Sequence, residues 1–93
     1  MAMRLDRYLK NVGIVKRRTL AKRLADEGNV EVNERTAKPS TEVSVGDRIQ
    51  VQIGMQITEY EVLDTAERPV AKKKREEYVR LLNSERVQPL DDL

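Results

Sequence analysis

The residues with chemistry to offer here are cations. Arg4, Lys16, Arg17, Arg18, Lys22 and Arg23 all fall in the first quarter of a 93-residue chain, and residues 1–25 carry eight Lys or Arg against one acid, Asp6. Residues 26–93 reverse the balance, with ten cations against fifteen acids. A basic end on an otherwise acidic chain favours a localised contact with a polyanion over general stickiness.

The densest stretch is GIVKRRTLAKRLADEG at 13–28. Read as a helix from Arg18 or Thr19 to Glu27, it buries Leu20, Ala21, Leu24 and Ala25, and sets Arg18 and Lys22 at i, i+4 on one stripe beside the apolar face. Like charges at that spacing repel, and the N-terminal half of a helix is where the backbone dipole disfavours cations. Lys16, Arg17, Arg18 and Lys22 all crowd that end with no acid nearby in sequence. A bound phosphate would relieve both penalties, which favours phosphate binding over a merely solvated face. On this reading, removing Arg18 leaves stability unchanged or slightly improved.

Other chemistries find little support. The chain has no His and no Cys, which removes thiol catalysis, disulfides and Cys- or His-based metal sites. Its acids show neither metal-binding spacing nor the paired arrangement of acid–base catalysis, and no Gly-rich phosphate loop or nucleophile elbow occurs. A binding protein with no cofactor and no metal is expected, not an enzyme. No apolar run approaches the roughly 20 residues of a membrane span, so a cytoplasmic protein with no membrane contact is expected.

The elements that must carry the cations follow from periodicity. Leu5, Tyr8, Leu9 and Val12 fall at i, i+3, i+4 and i+7, one face of a helix over about 4–12 that Gly13 stops. Gly28 ends the second helix. The period then becomes twofold: Val30 and Val32, a polar turn at 33–35, then Val43 and Val45, and Ile49, Val51 and Ile53 after a turn at Gly46 and Asp47. A tight loop at 54–56 leads to a last strand over about 57–63. Tyr8 and Tyr78 read as core residues. The expected fold class is α+β: two N-terminal helices packed on a small antiparallel sheet, plus a C-terminal helix over 71–83. The division is a domain at 1–63, a linker at 64–70, and a helix with an acidic tail at 71–93. The KKKR run at 72–75 precedes Glu76 and Glu77 and reads as solvated.

MRLDRYLK at 3–10, KRRTLAKRLADEGNVEVN at 16–33, AKPS at 37–40 and VSVGDRIQV at 43–51 together resemble the S-four-type (αL) RNA-binding domain. The resemblance covers about residues 3–63. It implies two helices on a small sheet whose basic side chains grip RNA backbone. It also implies RNA-binding roles for Arg4 before the "L-D" pair, for Arg18 at the start of helix two, for Lys22 and Arg23 as a basic pair, and for Lys38 after the strand turn. Lys16 and Arg17 supply further charge. Two departures stand out: Arg17 and Thr19 occupy the family's flanking Ser positions, and Glu34 stands where Gly is common.

Among small free-standing members the chain is most similar to the RqcP family of ribosome-quality-control factors. The resemblance implies binding to large ribosomal subunits obstructed by peptidyl-tRNA, contacts with ribosomal RNA and tRNA, and support of RqcH in adding alanine tails to stalled nascent chains. The next resemblance is to the fifteen-kilodalton heat-shock proteins, which implies recycling of large subunits carrying nascent chains. The distant alternative is an accessory module that binds a protein partner through its basic face. A monomer is expected.

Overall fold

The computed structural model describes residues 2–87. Strand β1 (Met3–Arg4) runs into helix α1 (Leu5–Asn11), and a loop leads to helix α2 (Arg18–Asp26). Five strands follow: β2 (Val30–Val32), β3 (Arg35–Thr36), β4 (Glu42–Val43), β5 (Arg48–Ile53) and β6 (Gln56–Val62). A 3-10 helix (Lys72–Glu77) and strand β7 (Val79–Arg86) complete the described chain. The strands form an antiparallel sheet in the order β3-β2-β5-β6-β7, and β1 pairs separately with β4. The α+β class with two helices on an antiparallel sheet is what the periodicities predict. Among the described residues no helix is long and apolar enough to cross a membrane.

Leu5, Tyr8, Leu9 and Val12, the apolar face of α1, are at most 1 % exposed and join Ala21, Leu24 and Ala25 of α2 over the inner row Val30, Ile49, Val51 and Val62. Each fully buried aliphatic side chain contributes about 1.5–3 kcal/mol relative to exposure, and this cluster fixes how α1 and α2 sit on the sheet. Leu20 departs from expectation at 37 % exposed, because it lies at the rim of the α2 apolar face. Gly28 adopts φ 79°, its N–H donates to the Ala25 carbonyl, and that of Asn29 donates to Leu24, the paired bonds of a Schellman stop. The helix starts without a side-chain cap: Arg17 holds the N-cap position and Thr19 lies inside.

The C-terminal helix expected over 71–83 does not form. Only Lys72–Glu77 turn, as a 3-10 helix, and Val79–Arg86 pair antiparallel with β6. Three causes favour the strand. Four consecutive cations repel within a helical turn, Asn83 and Ser84 are weak helix formers, and β6 otherwise presents an open row of backbone groups. Val79 pairs with Val62 and both are buried, whereas Leu81 and Leu82, which read as one apolar helical face with Tyr78, are 61 % and 38 % exposed. The register shifts between Glu59 and Tyr60, a bulge that leaves Leu82 without a partner in the ladder. The acidic tail at 88–93 lies outside the described residues.

The segment between β6 and the 3-10 helix is tied to α1. Asn11, buried, donates from Nδ2 to the Ala66 carbonyl at 2.6 Å and accepts the Val70 N–H on its own carbonyl. Tyr8 donates its hydroxyl to the Tyr78 carbonyl at 2.6 Å; burial first, and the nearby Asp64 charge second, raise its pKa and keep it neutral. Tyr8 is a core residue, and Tyr78 packs partly buried against the core.

Candidate nucleic-acid interface

All seven sequence-predicted site residues are solvent-exposed. Three of them converge. Arg4 at the end of β1, Lys22 on α2 and Lys38 in the loop after β3 line one open depression of about 590 Å³, with Thr36, Ser40 and one acid, Asp26. The loop is held in place by α1. The N–H groups of Leu5 and Asp6 donate to the carbonyls of Thr41 (2.7 Å) and Pro39 (3.1 Å), and the Lys38 N–H donates to Thr41 Oγ1 at 2.8 Å. Lys38 is thus set opposite Arg4 and Lys22 by backbone bonds, not by its own side chain.

Arg18 reaches the same corner through Asp6. The carboxylate of Asp6 is 0 % exposed, which is unusual for an acid and requires strong partners. It has them. Arg4 donates from Nε to Oδ1 and from Nη2 to Oδ2, both at 3.1 Å. Arg18 approaches with Nε 3.3 Å from Oδ2 and Nη2 3.5 Å from Oδ1, and the Arg7 N–H donates to Oδ1 at 2.8 Å. Burial alone would raise the Asp6 pKa, but the hydrogen bonds and charges of Arg4 and Arg18 outweigh it and hold the carboxyl below its ordinary 3.8. The same pairing raises the pKa of Arg4.

The start of α2 has no acid nearby in sequence, but the fold supplies one. Asp6 is twelve residues away in sequence and directly against Arg18 in space. The signal was available: a lone acid among eight cations, one residue from Leu5 on a helix whose apolar stripe it borders. One carboxylate offsets one of its two guanidinium partners, so the corner stays cationic with Lys22 and Lys38 beside it.

Lys16, Arg17 and Arg23 do not line the depression. Lys16 and Arg17 lie in the turn before α2, and Arg23 projects from α2 and pairs with Glu27 at 3.3 Å, an exposed i, i+4 contact of small energetic weight. A second depression has the other sign. Glu31, Glu34 and Glu59 line it with Arg48, Asn33 and Gln50. Among the described residues no group of three or more His, Cys, Asp or Glu could hold a metal ion.

Comparison with known proteins gives this surface its family. The S4 domain matches residues 3–49. An RQC P-site tRNA stabilizing factor of Listeria innocua is 39 % identical over 84 residues, which span 90 % of each chain. The chain belongs to the S4-domain family, in the group of RQC P-site tRNA stabilizing factors. The corresponding factor of Streptococcus pneumoniae is 45 % identical over 62 residues, 67 % of this chain and 70 % of that one. Among solved structures, the trimeric heat shock protein 15 of Vibrio cholerae superposes with a TM-score of 0.81 over 88 % of this chain and 83 % of its own, at 24 % identity, a likeness of fold. The S4 match spans the stretch that carries Arg4, Asp6, Arg18, Lys22 and Lys38.

Proposed function

We propose that the protein is a non-enzymatic, cytoplasmic RNA-binding factor of ribosome-associated quality control. It binds large ribosomal subunits obstructed by peptidyl-tRNA, contacts ribosomal RNA and tRNA backbone, and supports RqcH as alanine tails are added to stalled nascent chains. It acts as a monomer. The names of the Listeria and Streptococcus relatives support the assignment to quality control and to tRNA.

The observation that carries the chemistry is the convergence of Arg4, Lys22 and Lys38 on one open depression, with Arg18 on the carboxylate that also holds Arg4. In this reading Arg4, Arg18, Lys22 and Lys38 contact phosphates, and Lys16, Arg17 and Arg23 add charge. Three tyrosines and no Phe or Trp suit recognition of RNA shape and backbone better than stacking on splayed bases.

Co-sedimentation with purified large subunits, prepared with and without peptidyl-tRNA, tests the reading. The protein is expected to pellet with the peptidyl-tRNA-bearing subunits and to recruit added RqcH with them. Equal recovery from empty and obstructed subunits would refute the tRNA-dependent part.

A further inference from the structure

The buried carboxylate of Asp6 touches no solvent, yet it organises two half-exposed guanidinium groups. It receives five N–H approaches: two from Arg4 at 3.1 Å, two from Arg18 at 3.3 and 3.5 Å, and the Arg7 backbone at 2.8 Å. A guanidinium carries five N–H donors in a rigid plane. Arg4 and Arg18 each turn two of them inward to Asp6 and keep the rest for another acceptor, while their side chains remain 48 % and 43 % exposed. The Asp6 backbone N–H also donates to the Pro39 carbonyl, so the same residue fixes the loop that presents Lys38.

We infer that Asp6 is a positioning residue for RNA binding, holding Arg4 and Arg18 as a preformed guanidinium pair whose outward N–H groups donate to a backbone phosphate. The inference rests on the proposed RNA-binding role of this face. Its physical basis is entropic and geometric. A free arginine must surrender its rotamers when it grips a phosphate, whereas an arginine already pinned through one edge surrenders little. The pin must be a carboxylate, since two guanidinium groups can share it only because it accepts in several directions and offsets their mutual repulsion.

The competing view is that Asp6 serves folding alone and that the cations act by charge. The two views predict opposite signs for Asp6→Asn. That substitution keeps the shape and makes the face one unit more positive, so charge alone predicts tighter binding. Its amide nitrogen, however, meets the guanidinium donors with another donor and releases them. The positioning role therefore predicts binding to fluorescein-labelled tRNA weakened about tenfold, the cost of re-ordering two arginine side chains.

Anisotropy titrations of the full chain at several salt concentrations measure this, with the NMR signals of the arginine Nε–H groups reporting whether the pair is ordered. Weaker binding, with the Nε–H signals of Arg4 and Arg18 lost to exchange, supports the inference. Equal or tighter binding by folded Asp6→Asn overturns it while leaving the RNA-binding role intact. Wild-type protein that fails to bind tRNA in a salt-dependent manner overturns both. If Asp6→Asn does not fold, Arg18→Lys decides: it keeps the charge but loses the planar fork, so a severalfold loss supports the pair and unchanged affinity refutes it.

Discussion

Asp6 and Arg18 are twelve residues apart in sequence, yet Oδ2 of one lies 3.3 Å from Nε of the other, with Asp6 fully buried and Arg18 half-exposed. Arg18 therefore has two occupations, one facing the protein and one facing outward. Arg18→Ala is expected to weaken tRNA binding and also to lower stability by about 1 kcal/mol, because a buried carboxylate loses one of its charged partners while Arg4 remains. Thermal denaturation beside RNA titration checks both halves. An unchanged melting temperature would show that Arg4 alone satisfies Asp6.

The pH dependence follows from the same carboxylate. Its pKa is held below 3.8 in the folded chain. As pH falls below about 4, the unfolded state takes up this proton before the folded state does, so the stabilisation is complete above that range and is lost as pH drops towards the folded value. Urea midpoints at pH 7, 4 and 3 should fall more steeply for the wild type than for Asp6→Asn. Parallel curves would mean that Asp6 does not titrate as an ion-paired group.

The C-terminal strand makes a prediction that a helix would not. Val79 is buried against Val62, and Leu81 is 61 % exposed. Val79→Ala should cost about 2 kcal/mol through the cavity it leaves, and Leu81→Ala less than about 0.5 kcal/mol. The reverse order in denaturant unfolding would restore the helix over 71–83.

These residues also show where sequence reading reached and where it stopped. The spacing of Leu5, Tyr8, Leu9 and Val12 and the alternation of Ile49, Val51 and Ile53 are local signals, and both helices and the central strands follow from them. The strand at 79–86 is not local: Tyr78, Leu81 and Leu82 have helical spacing, and only the open edge of β6 makes the extended form better. The same limit applies to the site. Composition and spacing single out the cations one by one, but the meeting of Arg4, Lys22 and Lys38 depends on a loop held by backbone bonds from Leu5 and Asp6. The Asp6 clamp depends on how α1 and α2 cross, which no spacing within either helix encodes.

The turn between β2 and β3 carries strain that one substitution can remove. Asn33 and Glu34 have φ of 51° and 70°, a left-handed pair suited to Asn-Gly. Asn33 is well used, with its Oδ1 accepting the Arg48 N–H and its Nδ2 donating to Asp47. Among the described residues Glu34 makes no comparable bond, and it bears the β-carbon cost of that conformation. Glu34→Gly is expected to stabilise the protein by about 1 kcal/mol, visible as a higher urea midpoint with an unchanged slope. A loss of stability would show that the added unfolded-state freedom of glycine outweighs the relief.

The central claim is that the face carrying Arg4, Arg18, Lys22 and Lys38 grips RNA through phosphates. Its most direct test is the affinity for labelled tRNA as a function of salt, for the wild type and for Lys22→Ala with Lys38→Ala. About four phosphate contacts predict a log–log slope near −3 for the wild type, reduced by roughly half in the double variant, with folding intact. A flat wild-type response, or a slope that the double variant leaves unchanged, would contradict the account.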